Sequence, residues 1–264
     1  MPSQIAQVNG VDLHYQLDGP EGAPVIVFSN SLGTDFRIWD QVVERLGGDY
    51  RTLRYDKRGH GLSDDPDTGW GMQELVRDLA GLMDHLGIRD AAVCGLSVGG
   101  MIAQGLAAER PDLVQVMILC DTAARIGNDD MWNDRIAQVE KGGIESISET
   151  MLQRWFTPTF HKHQDFAMWR NMLVRTSNQG YRRVCAALRD TDLITSTSGL
   201  ILPTLVVVGD KDGSTPPDLV RETAELIIGS RFELIRGAGH LPCIEKPDVF
   251  TALLRDFLAE NRFG

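Results

Sequence analysis

The 264-residue chain is short of positive charge: 26 Lys and Arg stand against 37 Asp and Glu, a formal net charge of −11. That balance argues against nucleic acid or an anionic membrane surface as a partner, since both are held by basic residues. Long uncharged apolar runs are missing, so no bilayer-spanning segment is expected. The N-terminal Met1-Pro2-Ser3-Gln4-Ile5-Ala6-Gln7 has neither the basic segment nor the apolar run of an export signal. Cysteine is sparse: Cys94, Cys120, Cys185 and Cys243 are scattered without the spacing of a metal site or a disulfide framework. Reduced thiols in a cytoplasmic protein are the expectation, with no metal. Internal repeats, low-complexity tracts and flexible linkers are also lacking. The remainder, 42% hydrophobic and 24% charged, is ordinary for a soluble globular chain. It is long enough for one α/β domain carrying an insertion; nothing in it specifies an oligomeric state.

Residues 5–17 alternate apolar and polar around Asn9-Gly10, the pattern of an antiparallel edge hairpin. Pro24-Val25-Ile26-Val27-Phe28 is a continuous apolar run, as in a strand covered on both faces, and it ends in the polar loop Ser29-Asn30-Ser31-Leu32-Gly33-Thr34-Asp35. A helix is predicted over 36–46, a strand over 50–55 and an amphipathic helix over 72–86. A further buried strand is read at 114–119. From residue 127 to 195 the β-rich runs stop, and four helical segments follow, at 130–141, 144–156, 164–176 and 178–189. Strands resume with Leu202-Pro203-Thr204-Leu205-Val206-Val207-Val208-Gly209 and Arg231-Phe232-Glu233-Leu234-Ile235, and a helix over 248–260 closes the chain. The expected architecture is therefore α/β: a core of residues 1–126 and 196–264, with a mostly parallel sheet flanked by helices, interrupted by a helical cap at 127–195.

The chemistry centres on Gly95-Leu96-Ser97-Val98-Gly99, set between the apolar strand Ala91-Ala92-Val93-Cys94 and a small-residue helix. Gly-x-Ser-x-Gly in that context is a nucleophile elbow, a strained turn that pushes the serine hydroxyl away from the sheet. The free amides and positive end of the following helix point to the place where an oxyanion would form.

A serine needs a base, and the base an orienting acid. Of six histidines, His240 lies directly after the last strand, in Gly237-Ala238-Gly239-His240-Leu241-Pro242. His14 and His85 fall in a strand and a helix, and His161 and His163 in the helical insertion. His60, in Asp56-Lys57-Arg58-Gly59-His60-Gly61, reads as a turn-fixing residue. For the acid, Asp212 in Gly209-Asp210-Lys211-Asp212-Gly213 is favoured, with Asp121 as the alternative and Asp210 as a brace of the turn. The order Ser, Asp, His along the chain is that of α/β-hydrolases. The amides of Val98 and Leu32 are the candidate oxyanion donors.

With these residues in place, the whole chain resembles the α/β-hydrolase superfamily, and within it the 3-oxoadipate enol-lactonases of aromatic-compound catabolism (the β-ketoadipate pathway). Four segments carry the resemblance: Phe28-Ser29-Asn30-Ser31-Leu32-Gly33-Thr34-Asp35, Arg54-Tyr55-Asp56-Lys57-Arg58-Gly59-His60-Gly61, Gly95 to Gln104, and Gly239-His240-Leu241-Pro242-Cys243-Ile244-Glu245. Most relatives carry His-Gly where this chain has Asn30-Ser31. The resemblance implies lactone hydrolysis without a metal or other cofactor. It also implies a small anionic lactone substrate, whose carboxylate needs a local cation in so acidic a protein. Arg135 is the candidate cation, on the edge of a stripe formed by Trp132, Ile136 and Val139 on the first cap helix. Trp155 on the second is a candidate pocket wall. A general carboxylesterase, a carbon–carbon bond hydrolase and a non-catalytic small-molecule receptor on the same fold are the competing readings.

Overall fold

The computed structural model describes residues 3–264; Met1 and Pro2, the first two residues of the N-terminal segment read above, lie outside the described residues. Eight strands form one sheet: β1 (Gln4–Val8), β2 (Val11–Asp18), β3 (Val25–Ser29), β4 (Arg51–Tyr55), β5 (Ala91–Leu96), β6 (Val114–Cys120), β7 (Thr204–Gly209) and β8 (Arg231–Ile235). Their spatial order is β1-β2-β4-β3-β5-β6-β7-β8. The β1–β2 hairpin turns at Asn9-Gly10, and β1, β2 and β4 pair antiparallel; every other pairing is parallel. β5 and β7 are buried along their whole length, as expected of central strands covered by helices on both faces.

The strand order places the site. From β3 the chain runs to β4 on one side, then crosses back to lay β5 on the other. Such a reversal leaves a crevice at the carboxyl ends of the two strands. Here it is the gap beside Ser29 and Gly95, which are register partners.

Helices α1 (Asp40–Leu46), α2 (Met72–His85) and α3 (Val98–Glu109) connect the first strands. A 3-10 turn at Phe36–Trp39 precedes α1, so the helix predicted over 36–46 is divided in two. α2 buries Leu75, Val76, Leu79, Leu82 and Met83, the expected stripe, against α3 and β1. Removing each such side chain from water contributes about 2 kcal/mol.

Between β6 and β7 lie only helices: α4 (Asp129–Gly142), α5 (Glu145–Trp155), α6 (Phe166–Val174), α7 (Asn178–Arg189) and α8 (Ile194–Ser198). The first four match the expected segments to within a few residues. α8 was not anticipated; its run of Ser and Thr has poor helix propensity, and the Thr197 hydroxyl anchors it by donating to Gln104 Oε1 on α3 at 2.7 Å. α9 (Pro217–Leu226), α10 (Pro242–Glu245) and α11 (Pro247–Glu260) complete the fold, with α11 packed on α1. No helix of the described residues is long and apolar enough to cross a membrane.

Candidate active site

β5 ends at Leu96, and Ser97 follows at φ 58°, ψ −118°, a conformation that non-glycine residues rarely adopt. The strain is held from both sides. The Ser97 amide donates to Cys120 O at 2.9 Å, and the Thr122 hydroxyl donates to Ser97 O at 2.6 Å. The flanking glycines are sterically required: a Cβ on Gly95 would lie 2.1 Å from Gly99 O, and one on Gly99 would lie 2.1 Å from Ser29 O.

His240 is delivered by the loop after β8. Its amide donates to Trp155 O at 2.9 Å, which ties the residue to the last residue of α5. Its Nδ1 lies 2.9 Å from Asp212 Oδ2. Asp212 also accepts from the Ser214 and Thr215 amides at 2.7 and 3.1 Å and from the Thr215 hydroxyl at 2.7 Å. Burial pushes the Asp212 carboxyl upward, but His240 and these donors outweigh it and hold the group below the usual carboxylate range. Asp210 accepts from the Gly237 amide at 2.7 Å, the bracing role expected of it.

Ser97 and His240 line one cavity, yet no hydrogen bond joins them; Ser31 Oγ lies 3.5 Å from His240 Nε2 instead. In hydrolases that use a serine and a histidine, such a contact commonly tightens only in the substrate complex.

Neither the Leu32 nor the Val98 amide has an acceptor among the described residues. The Leu32 loop is clamped from below. Lys57 Nζ donates to Ser31 O at 2.7 Å, His60 Nε2 accepts from the Gly33 amide at 3.0 Å, and Asn30 donates to Thr34 O at 2.7 Å. His60 thus braces the loop, in line with its reading as a turn residue. Burial lowers Lys57 to about 7, offset in part by Asp56 and Asp35. Burial and the Lys57 charge together depress His60.

The cavity is narrow and is roofed by the helical segment, with Trp132 and Arg135 from α4, Arg154 and Trp155 from α5, and Tyr181 from α7. Arg135 lies over the Trp132 ring, 5.2 Å from its centroid. Arg154, which the sequence reading did not single out, shares the cavity. Burial and the nearby Arg135 charge both depress its guanidinium. Neither arginine has an ion-pair partner among the described residues, although most arginines of the chain do. The surface groove lined by Thr157, Phe160 and Lys246 is wider but contains none of these groups.

Among the described residues, the single cluster of three metal-ligating side chains is Asp121, Asp212 and His240. Amide and hydroxyl donors already occupy the Asp212 oxygens, a donor set suited to an anion and poorly suited to a metal cation. Of the two acids left open by the sequence, Asp212 is the one bonded to His240.

Residues 26–253 match the family model described as Alpha/beta hydrolase family. The chain is 34% identical to 3-oxoadipate enol-lactonase 1 of Acinetobacter baylyi over 96% of both sequences. It superposes on the enol-lactonase from Burkholderia xenovorans LB400 with a TM-score of 0.94 and 40% identity, covering 97% of this chain and 100% of that one. A thermophilic esterase from Thermogutta terrifontis, solved with malate bound, gives a TM-score of 0.90 at 28% identity over 99% of each chain.

Proposed function

The chain belongs to the alpha/beta hydrolase family, and on that basis we propose that it opens 3-oxoadipate enol-lactone to 3-oxoadipate through an acyl-enzyme on Ser97. The observation that carries the reading is the pair of arginines, Arg135 and Arg154, which share the cavity with Ser97 and have no ion-pair partner among the described residues. Two guanidiniums without a carboxylate partner among the described residues, in a protein of net charge −11, suit a substrate that brings its own carboxylate. The enol-lactonases named above support the choice of lactone.

In this mechanism Ser97 Oγ attacks the lactone carbonyl and its proton passes to His240 Nε2, while Asp212 steadies the imidazolium. The Leu32 and Val98 amides hold the oxyanion. The ring C–O bond breaks, and the departing enol oxygen takes the proton from His240. Tautomerisation to the ketone removes the group that would re-close the ring. Water, deprotonated by His240, then cleaves the ester to Ser97 and leaves a second carboxylate on the product. Residues 127–195 serve as the cap, with Trp132 and Trp155 as walls around the carboxylate held by Arg135 and Arg154.

The test is kcat/KM for the enol-lactone against a neutral ester such as 4-nitrophenyl acetate, in wild type and Arg154→Ala. The variant is expected to lose about 10- to 100-fold on the lactone, the worth of a charge-assisted hydrogen bond, and little on the ester. Equal losses on both would leave a general carboxylesterase as the better description, the reading that the esterase neighbour favours.

A further inference from the structure

One buried acid touches the catalytic set and has no part in the steps above. Asp121 follows β6 with no exposed surface and a φ of 47°, a conformation that Asp and Asn tolerate better than most residues. Its Oδ1 accepts from the Gly209 amide at 2.9 Å, whereas its Oδ2 is fully buried and has no partner. One oxygen of Asp121, one of Asp212 and a ring nitrogen of His240 lie within 4.8 Å of one another. The titratable groups facing Asp121 are Asp212 from the loop after β7, His240 from the loop after β8, Cys120 on its own strand and Cys243 on α10. Of these only His240 can become a cation, and it is already bonded to Asp212. Two buried carboxyl groups this close, with a single imidazole beside them, disfavour double ionisation. The charge resides where the donors are: Asp212 accepts from two amides, a hydroxyl and the imidazole, Asp121 from one amide.

We propose that Asp121 is a neutral carboxylic acid under working conditions, and that the proton on its otherwise unpartnered Oδ2 makes it a positioning residue that moderates the charge of Asp212. The proposal rests on Asp212 and His240 being the catalytic acid–base pair. Burial and the Asp212 charge both push the Asp121 carboxyl well above the usual range, in keeping with this geometry. The single negative charge of the carboxyl pair is thereby shared over two residues, which limits how strongly the imidazolium is held.

Asp121→Asn and Asp121→Ala separate the outcomes. Asn keeps the acceptor for Gly209 and puts an N–H donor where the acid carries its proton; Ala removes both. The readouts are the pH dependence of kcat for 4-nitrophenyl acetate and the titration of His240 followed by ¹⁵N NMR. The expected result for Asn is a kcat within about threefold of wild type and an unmoved His240 midpoint, because no charge has been removed. Ala is expected to raise the midpoint by about half a unit and to cut kcat about tenfold, as Asp212 loses a donor. A His240 midpoint that falls by a unit or more in Asp121→Asn would mean that an anion had been removed, and would overturn the proposal. So would an Ala variant with the wild-type profile. If the Ala protein does not fold, the isosteric Asn variant decides alone. Undiminished ester hydrolysis by Ser97→Ala would instead show that the catalytic reading beneath the proposal is at fault.

Discussion

The floor and the roof of the cavity are built on opposite principles. On the floor, Ser97, Asp212, His240 and the Leu32 loop are held by backbone hydrogen bonds, and Asp212 accepts from two amides, a hydroxyl and the His240 ring. In the roof, Arg135 and Arg154 are charged and without ion-pair partners, among aromatic and aliphatic walls. A dense hydrogen-bond network fixes one geometry, whereas unmatched charge awaits a counter-charge. On this view, changes to the floor abolish turnover of every substrate, and changes to the roof re-rank substrates.

The largest effects belong to the floor. Ser97→Ala and Asp212→Asn are each expected to lower kcat by about 10⁴-fold on lactone and neutral ester alike, measured by stopped-time product assay. A loss confined to one substrate would break the division between floor and roof. Next comes the roof. Arg135→Ala, like Arg154→Ala, is expected to cost about 10- to 100-fold in kcat/KM on an anionic lactone and to leave a neutral ester nearly unchanged. Arg154→Lys keeps the charge but loses the fork, so its deficit should fall between wild type and Ala.

The smallest effect concerns the clamp beneath Leu32. Lys57 is a base whose folded pKa lies at about 7, below the usual lysine value. Between that value and the unfolded one, the unfolded chain binds more protons, so raising the pH through this window favours the native state. Wild type should therefore gain thermal stability relative to Lys57→Met as pH moves from about 7 to about 9. A constant difference in Tm across that range would show that Lys57 does not titrate there.

The floor was the more legible part of the sequence, for a physical reason. Gly95 and Gly99 are forced by contacts under 3 Å, and the strained serine and the strand-end loops carrying Asp212 and His240 leave local signatures that survive without coordinates. Arg154 left none. A basic residue in the last turn of a helix is the ordinary partner of the helix dipole, and only the crossing of α4 and α5 brings it beside Arg135. Asp121 was undecided for a similar reason. Both aspartates follow buried strands, and the hydrogen bond to His240 that separates them depends on how the loop after β7 curls around Thr215. α8 went unread because a tertiary contact to Gln104, and no propensity of its own, holds it in place.

The carboxyl end of α5 gives the two halves a common fate. Arg154 O accepts from the amide of Gly213, the neighbour of Asp212, at 3.2 Å, and Trp155 O accepts from the amide of His240 at 2.9 Å. The residues whose side chains wall the cavity therefore grip, through their carbonyls, the loops that carry Asp212 and His240. A displacement of this end of α5 would therefore act on the backbone of both loops, so the cavity wall and the His240 imidazole are mechanically linked.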